Sequence, residues 1–232
     1  MSISWLALQS DSDFPLIDQA NEDGLLAVGG DLSSTRLIKA YQHGVFPWFN
    51  QHDPILWWSP DPRMVLFTNK VKIAKSLKKT LRSTKLIVTL DHAFEQVMEA
   101  CSLPRKNDEG TWLHQNMINA YVDLHLQGHA HSVECWLDGK LVGGLYGIAI
   151  GNMFFGESMF SHVRDSSKVA LVALCKQLHQ WGFPLIDCQV YSKHLESLGA
   201  EEISRSDFLT IMTPLCHQHH AENSWRMTLQ LS

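Results

Sequence analysis

From Met64 onward the apolar positions fall into runs whose period separates helix from strand. Met64–Phe67 and Leu86–Leu90 are strand-length apolar runs. Between them, over Val71–Arg82, Ile73, Ala74, Leu77 and Leu81 share one helical face, and Lys72, Lys75, Lys79 and Arg82 share the other. Phe94, Val97, Met98 and Cys101 keep helical spacing behind Asp91, which predicts an Asp91-capped helix. Leu113–Leu126 reads as another helix, with Met117, Tyr121 and Leu124 inward and Gly128 ending it. The period then changes to two. His131–Leu137 and Lys140–Ile150 flank Asp138-Gly139, a strong hairpin signal, and Asn152–Phe160 predicts a third strand. Asp165 or Ser166 caps a long helix through Trp181, stopped by Gly182 and Pro184. Leu185–Val190 reads as a buried strand, His194–Leu198 and Asp207–Leu215 as helices, and Trp225–Leu229 as a closing strand.

The first sixty residues are patterned differently. Ser33 or Ser34 caps a short helix whose stripe of Leu37, Ile38, Ala40 and Tyr41 stops at Gly44. Val45–Pro62 then collects Phe46, Trp48, Phe49, Trp57 and Trp58 with Pro47, Pro54, Pro60 and Pro62, a density of proline that discourages long regular structure. A boundary near Arg63 divides a small N-terminal α/β domain, 1–62, from a larger one, 63–232. Hairpins followed by a helix and a further strand place the larger part in the α+β class, a sheet with helices on its faces, compatible with an N-acetyltransferase-like architecture.

Composition narrows the setting. Hydrophobic residues make up 45% of the chain and charged ones 19%, as in an ordinary globular protein. No apolar stretch reaches bilayer length, and the N-terminus lacks the pattern of a signal peptide, so no membrane role and a cytoplasmic location are expected. Cys101, Cys135, Cys175, Cys188 and Cys216 are dispersed, which suits buried thiols better than a disulfide framework. His125, His129 and His131, and the tail residues Cys216, His217, His219 and His220, show no recognised ligand spacing, so neither a metal nor another cofactor is expected.

Charge is unevenly placed. The net charge is −5, yet Lys70, Lys72, Lys75, Lys78, Lys79, Arg82 and Lys85 lie together with no acid from Met64 to Leu90, leaving about −12 for the rest. A basic amphipathic segment fits a solvated surface helix, an anionic membrane or a nucleic-acid backbone; without Trp or Phe on its apolar face the membrane reading is the weaker. Tryptophans on loops add a second feature, because a base stacked on such a face gains roughly 1–3 kcal/mol. At the other end, Asp187 and Gln189 lie two apart in an extended run, so their side chains leave one face while Ile186 and Cys188 leave the other. Taken alone, a carboxylate there equally suits a structural hydrogen bond.

The motifs that hold these residues resemble one family. GLLAVGGDLSSTRLIKAYQHGVFPWF (24–49), PILWWSPDPR (54–63), HSVECW (131–136) and LVGGLYG (141–147) occur in order, followed by GESMFS (156–161), SSKVAL (166–171), LIDCQV (185–190) and HLESLGAEEISR (194–205). Together they are similar to the leucyl/phenylalanyl-tRNA–protein transferases, up to about Leu215. The resemblance implies an acetyltransferase-like fold with a small N-terminal domain, and a leucyl-, phenylalanyl- or methionyl-tRNA donor. It also implies acceptor proteins that begin with Arg or Lys and are thereby marked for N-degron degradation, and a monomer. By motif, Asp187, Gln189 and Glu157 look like the residues at peptide-bond formation, and Trp48 and Trp112 like those holding the terminal adenosine. Lys72, Lys75, Lys78, Lys79, Arg82 and Lys85 would meet the tRNA backbone.

An ester donor is already activated, and an α-amine with an ordinary pKa of about 7.7–8.0 is partly neutral at pH 7. Positioning is therefore the main requirement, with Asp187 and Gln189 orienting the amine, Asp187 either accepting its proton or only orienting it, and Glu157 and Asp187 attracting the acceptor's cationic end. Leu145, Phe154, Leu171, Leu174 and Ile186 are candidates for an apolar donor pocket, each equally well explained as core. The rival activities are a coenzyme A-dependent acetyltransferase, which would need a Gly-rich pyrophosphate loop where this chain has FSHVRDSSK, and a non-catalytic RNA-binding module.

Overall fold

Two sheets share one apolar core. The computed structural model describes residues 3–8, 13–83, 85–103, 113–218 and 224–231. The small sheet is built from β1 (Ser4–Leu6), β2 (Leu25–Gly29), β3 (Phe46–Pro47) and β4 (Leu56–Trp58) in the order β1-β2-β4-β3. The helix α1 (Ser34–Gln42) follows β2, and Ser33 Oγ accepts from Arg36 N at 3.4 Å as its cap. Its inward stripe is Leu37, Ala40 and Tyr41, all fully buried. Gly44 ends the turn at φ +72°, where a Cβ would lie 2.8 Å from Leu209 and 3.2 Å from Phe208. A close approach and a positive φ both call for glycine there.

The large sheet holds β5 (Arg63–Phe67), β6 (Ile87–Leu90), β7 (Ala130–Leu137), β8 (Lys140–Ile150), β9 (Met153–Ser161), β10 (Leu185–Gln189), β11 (Glu201–Ile203) and β12 (Met227–Leu229). Their order is β11-β5-β10-β9-β8-β7-β6-β12, and every pairing is antiparallel except β9 with β10. The helices are α2 (Lys75–Ser83), α3 (Phe94–Ser102), α4 (Gln115–Leu126), α5 (Ser166–Gln180), α6 (Lys193–Glu196) and α7 (Arg205–Cys216). This is the mixed α+β arrangement expected. Asp138 and Gly139 take φ of +49° and +74°, as a two-residue hairpin turn requires.

Strand alternation divides the sheet into two faces. Leu66, Val88, Leu145, Phe154 and Ile186 pack with Val169–Leu178 of α5. Val65, Tyr146, Ile148 and Phe155 face the other way, onto α3, α4 and α7. On that face the core continues into the small sheet: Leu26, Tyr41, Phe46 and Trp57 belong to the same buried cluster as Tyr121, Phe208 and Met212. Trp57 also donates from Nε1 to Gly29 O at 2.8 Å.

Three expectations need correction. The basic helix starts at Lys75, not Val71, because Lys72 N is drawn to Leu198 O at 2.8 Å and holds the preceding residues out of the helix. Ala74 is consequently exposed, while Leu77 is buried. Asp91 does not cap α3. Its carboxylate turns to His131 Nδ1 at 2.7 Å and Ser132 N at 2.8 Å. The start of α3 is met instead by the buried Glu134 of β7, which accepts from His92 N at 3.4 Å and Ala93 N at 3.3 Å as well as from Thr89 Oγ1 and Ser132 Oγ. Asp165 stands at the N-cap of α5 but accepts no cap hydrogen bond; its carboxylate faces Thr80 Oγ1 and Lys168. The aromatic and proline-rich stretch holds no long element, as expected: its strands β3 and β4 are two and three residues long and pair with each other.

Candidate active site

Past the Asp187–Phe155 pair, β9 and β10 part company. In each strand the register shifts at this point: Glu157 is the extra residue of β9 between its pairings with Gly147 and Tyr146, and Cys188 is the extra residue of β10 against β5. Bulges of this kind re-aim side chains and occur next to active sites. Where the strands separate, a cavity of about 820 Å³ opens. Leu145, Phe154, Leu171, Leu174 and Ile186 all lie in its wall, and so do Glu157 and Gln189. The five apolar positions come from β8, β9, α5 and β10, so only the fold brings them together.

Glu157 sits at the centre of the polar edge. Tyr41 OH donates to its Oε1 at 2.8 Å, Tyr121 OH to its Oε2 at 2.9 Å, and Gln189 Nε2 to Oε1 at 2.7 Å. The two phenol oxygens are themselves 2.6 Å apart. Three O···O contacts form a closed triangle, but two phenols supply only two protons. A proton on Glu157 completes it: the carboxyl then donates to one phenol, that phenol to the other, and the other back to Glu157. Burial accordingly pushes the Glu157 carboxyl up to about 7, opposed by the hydrogen bonds from Tyr41, Tyr121 and Gln189 and helped by the nearby charge of Asp187. Burial and the same carboxylate hold both tyrosines well above their ordinary values, so they stay neutral donors.

Asp187 is placed differently from its neighbours. It is fully buried, its carboxylate takes Arg63 Nε at 2.8 Å and Nη2 at 2.6 Å, and it is not among the residues that line the cavity. Plain strand alternation does not carry through to Gln189, whose φ is +65°. The two residues are joined instead through the backbone, Gln189 N donating to Asp187 Oδ1 at 2.9 Å.

Comparison with known proteins decides the family. Residues 65–213 match the model of the leucyl/phenylalanyl-tRNA protein transferase, and residues 30–61 match that of its N-terminal domain. The chain belongs to the leucyl/phenylalanyl-tRNA protein transferase family. The leucyl/phenylalanyl-tRNA–protein transferase of Nitrosomonas eutropha is 56% identical over 94% of this chain and 94% of its own length. That of Nitrosospira multiformis is 54% identical over 96% of each. Among solved structures, a GCN5-related N-acetyltransferase from Kribbella flavida covers 71% of this chain and 58% of its own at 10% identity and a TM-score of 0.36.

Trp48 and the six basic residues that the transferase resemblance singled out do not line the cavity. Trp48 is 44% exposed, its ring 6.1 Å from that of Trp58, whose Nε1 donates to Trp48 O at 2.6 Å. Trp112 lies outside the described residues, as do His219 and His220 of the tail. Lys72, Lys75, Lys78, Lys79, Arg82 and Lys85 are all exposed, on α2 and its flanks. Among the described residues no helix is long and apolar enough to cross a membrane.

Sequence reasoning missed Tyr41, Tyr121 and Arg63. The tyrosines were visible only as inward positions of two helices; nothing local says that a strand far along the chain brings a carboxylate to meet both hydroxyls.

Proposed function

We propose that this chain transfers leucine, phenylalanine or methionine from its tRNA to the α-amine of proteins that begin with Arg or Lys. In this reading it acts as a cytoplasmic monomer whose products are marked for N-degron degradation. One observation carries the reading: an apolar cavity ends on a polar edge of Glu157 and Gln189. The donor side chain enters the apolar wall, which sets its ester carbonyl beside that edge. The acceptor nitrogen attacks the carbonyl, the C–N bond forms, the C–O bond to the terminal ribose breaks, and the ribose oxygen leaves with a proton. The share of Glu157 that is ionised near neutral pH takes the proton shed by the amine and hands it to the departing ribose oxygen. Trp48 and Trp112 stack the terminal adenosine, and the lysines of α2 follow the phosphates.

The acetyltransferase alternative fits less well. At the α5 N-terminus, where a pyrophosphate would need free N–H groups, Ser166 N already donates to Val163 O at 3.1 Å. The Asp165 carboxylate stands at the same end and would repel an anion. Supplying leucyl-tRNA and an Arg-led peptide should extend the peptide by one leucine, whereas acetyl-CoA with the same peptide should leave it unchanged. Acetylation, or no leucine transfer, defeats the proposal.

Two further outcomes follow. Leu171→Phe narrows the cavity and should lower the kcat/KM for phenylalanyl-tRNA relative to leucyl-tRNA by about 10-fold, in the range that apolar pockets discriminate. An unchanged ratio puts the donor side chain elsewhere. Lys75→Gln and Lys78→Gln should each reduce the slope of log affinity for tRNA against log salt by about 0.7–0.9. A constant slope would leave α2 as a solvated face.

A further inference from the structure

Arg63 is the least expected residue near the cavity. It opens β5, the neighbour of β10, and is fully buried. Its guanidinium lies 4.8 Å from the centre of the Phe46 ring and 4.6 Å from that of Phe208. Nη1 donates to Gly44 O at 3.1 Å, while Nε and Nη2 grip both oxygens of Asp187. One side chain thus ties the small sheet, α7 and β10 together at the bulge. Burying a guanidinium is costly unless it is paired and hydrogen-bonded, so its partners say what it is for.

Asp187 passes the constraint on. Its Oδ1 also accepts from Gln189 N at 2.9 Å, and Gln189 sits at φ +65°, a left-handed conformation that a residue with a Cβ keeps only where its surroundings over-determine it. From there Gln189 Nε2 reaches Glu157 Oε1 at 2.7 Å. The chain Arg63–Asp187–Gln189–Glu157 is continuous, and only its last two members line the cavity.

We propose that Arg63 is a positioning residue for aminoacyl transfer: its fork fixes Asp187, which holds the Gln189 N–H and so aims the Gln189 amide at Glu157 and the reacting groups. The proposal rests on the transfer reading above. It makes Asp187 a holder of the backbone, buried behind the bulge, and leaves proton acceptance to Glu157. A lysine cannot reproduce the arrangement, because one ammonium lacks the planar fork that meets both carboxylate oxygens.

The test uses the full chain carrying Arg63→Lys, Arg63→Gln, Asp187→Asn, or Arg63→Lys with Asp187→Asn. With leucyl-tRNA and an Arg-led peptide, Arg63→Lys should keep the wild-type KM for the tRNA and lose about 10²-fold in kcat, the scale expected for a misplacement of about 1 Å. The double variant should lose no more than the worse single one, since both act through one linkage. Without substrate, the Gln189 backbone amide resonance should move in Arg63→Lys while resonances of β7 and β8 stay in place. If Arg63→Gln does not fold, the lysine variant still decides. Full kcat in Arg63→Lys, additive losses in the double variant, or an unmoved Gln189 resonance each overturn the proposal. An inactive wild type would instead defeat the functional reading, and the catalytic half of this one with it.

Discussion

Glu157→Gln should flatten the dependence of stability on pH between 4.5 and about 7 and make the protein more stable than the wild type above that range. Burial raises the Glu157 carboxyl from 4.5 to about 7, so across that interval the folded protein holds a proton that the unfolded chain has already released. The stabilising contribution is complete below pH 4.5 and disappears as the pH rises through about 7. For a partly buried group the gap is worth up to about 3 kcal/mol. Glutamine keeps an oxygen for one phenol and offers an N–H in place of the missing proton, so the triangle with Tyr41 and Tyr121 survives at every pH. Transfer should fall by about 10²-fold at least, the usual contribution of a proton-accepting group. Thermal melts at several pH values check the first part and kcat the second. Parallel melting curves for the two proteins would show that Glu157 does not carry the titration.

The largest stability effect is expected at a residue that does not line the cavity. Glu134→Leu strips the acceptor from two hydroxyls and two backbone amides at once. The two hydroxyls are buried, and each one left unsatisfied costs about 1–3 kcal/mol, so a loss of about 4 kcal/mol is expected. For a chain of this size that lowers Tm by roughly 10 °C. Glu134→Gln, which retains a carbonyl oxygen, should lose much less. Because α3 carries Ala100 and Cys101 into the cavity wall, the leucine variant should also weaken donor binding. A melting point within about 2 °C of the wild type would mean that solvent satisfies these groups.

Much of the large sheet was legible because its signals are local. Asp138-Gly139 announces its hairpin without reference to the rest of the chain, and the stripe of Phe94, Val97, Met98 and Cys101 marks α3 whatever caps it. What stayed hidden depends on distant partners. The true start of α2 is set by Leu198, more than a hundred residues away, and the two residues that lead into α3 are held by Glu134 on another strand. The strands of the small sheet are two to five residues long, too short for a period to show. In the site, Glu157 and Gln189 were named from motifs, and the five apolar wall positions from the strands and helix that carry them. The bulges that turn Glu157 and Gln189 toward one another exist only in the paired sheet, and so does the pairing of Asp187 with Arg63.

The shared core also bears on how the chain is made. Leu26, Tyr41, Phe46 and Trp57 leave the ribosome before Phe208 and Met212, which lie well over a hundred residues further along and complete their packing. Until those two emerge the earlier segment exposes a large aromatic surface, and chaperones that shield such surfaces have a long interval in which to act. A polypeptide stalled before α7 would be left with that surface uncovered.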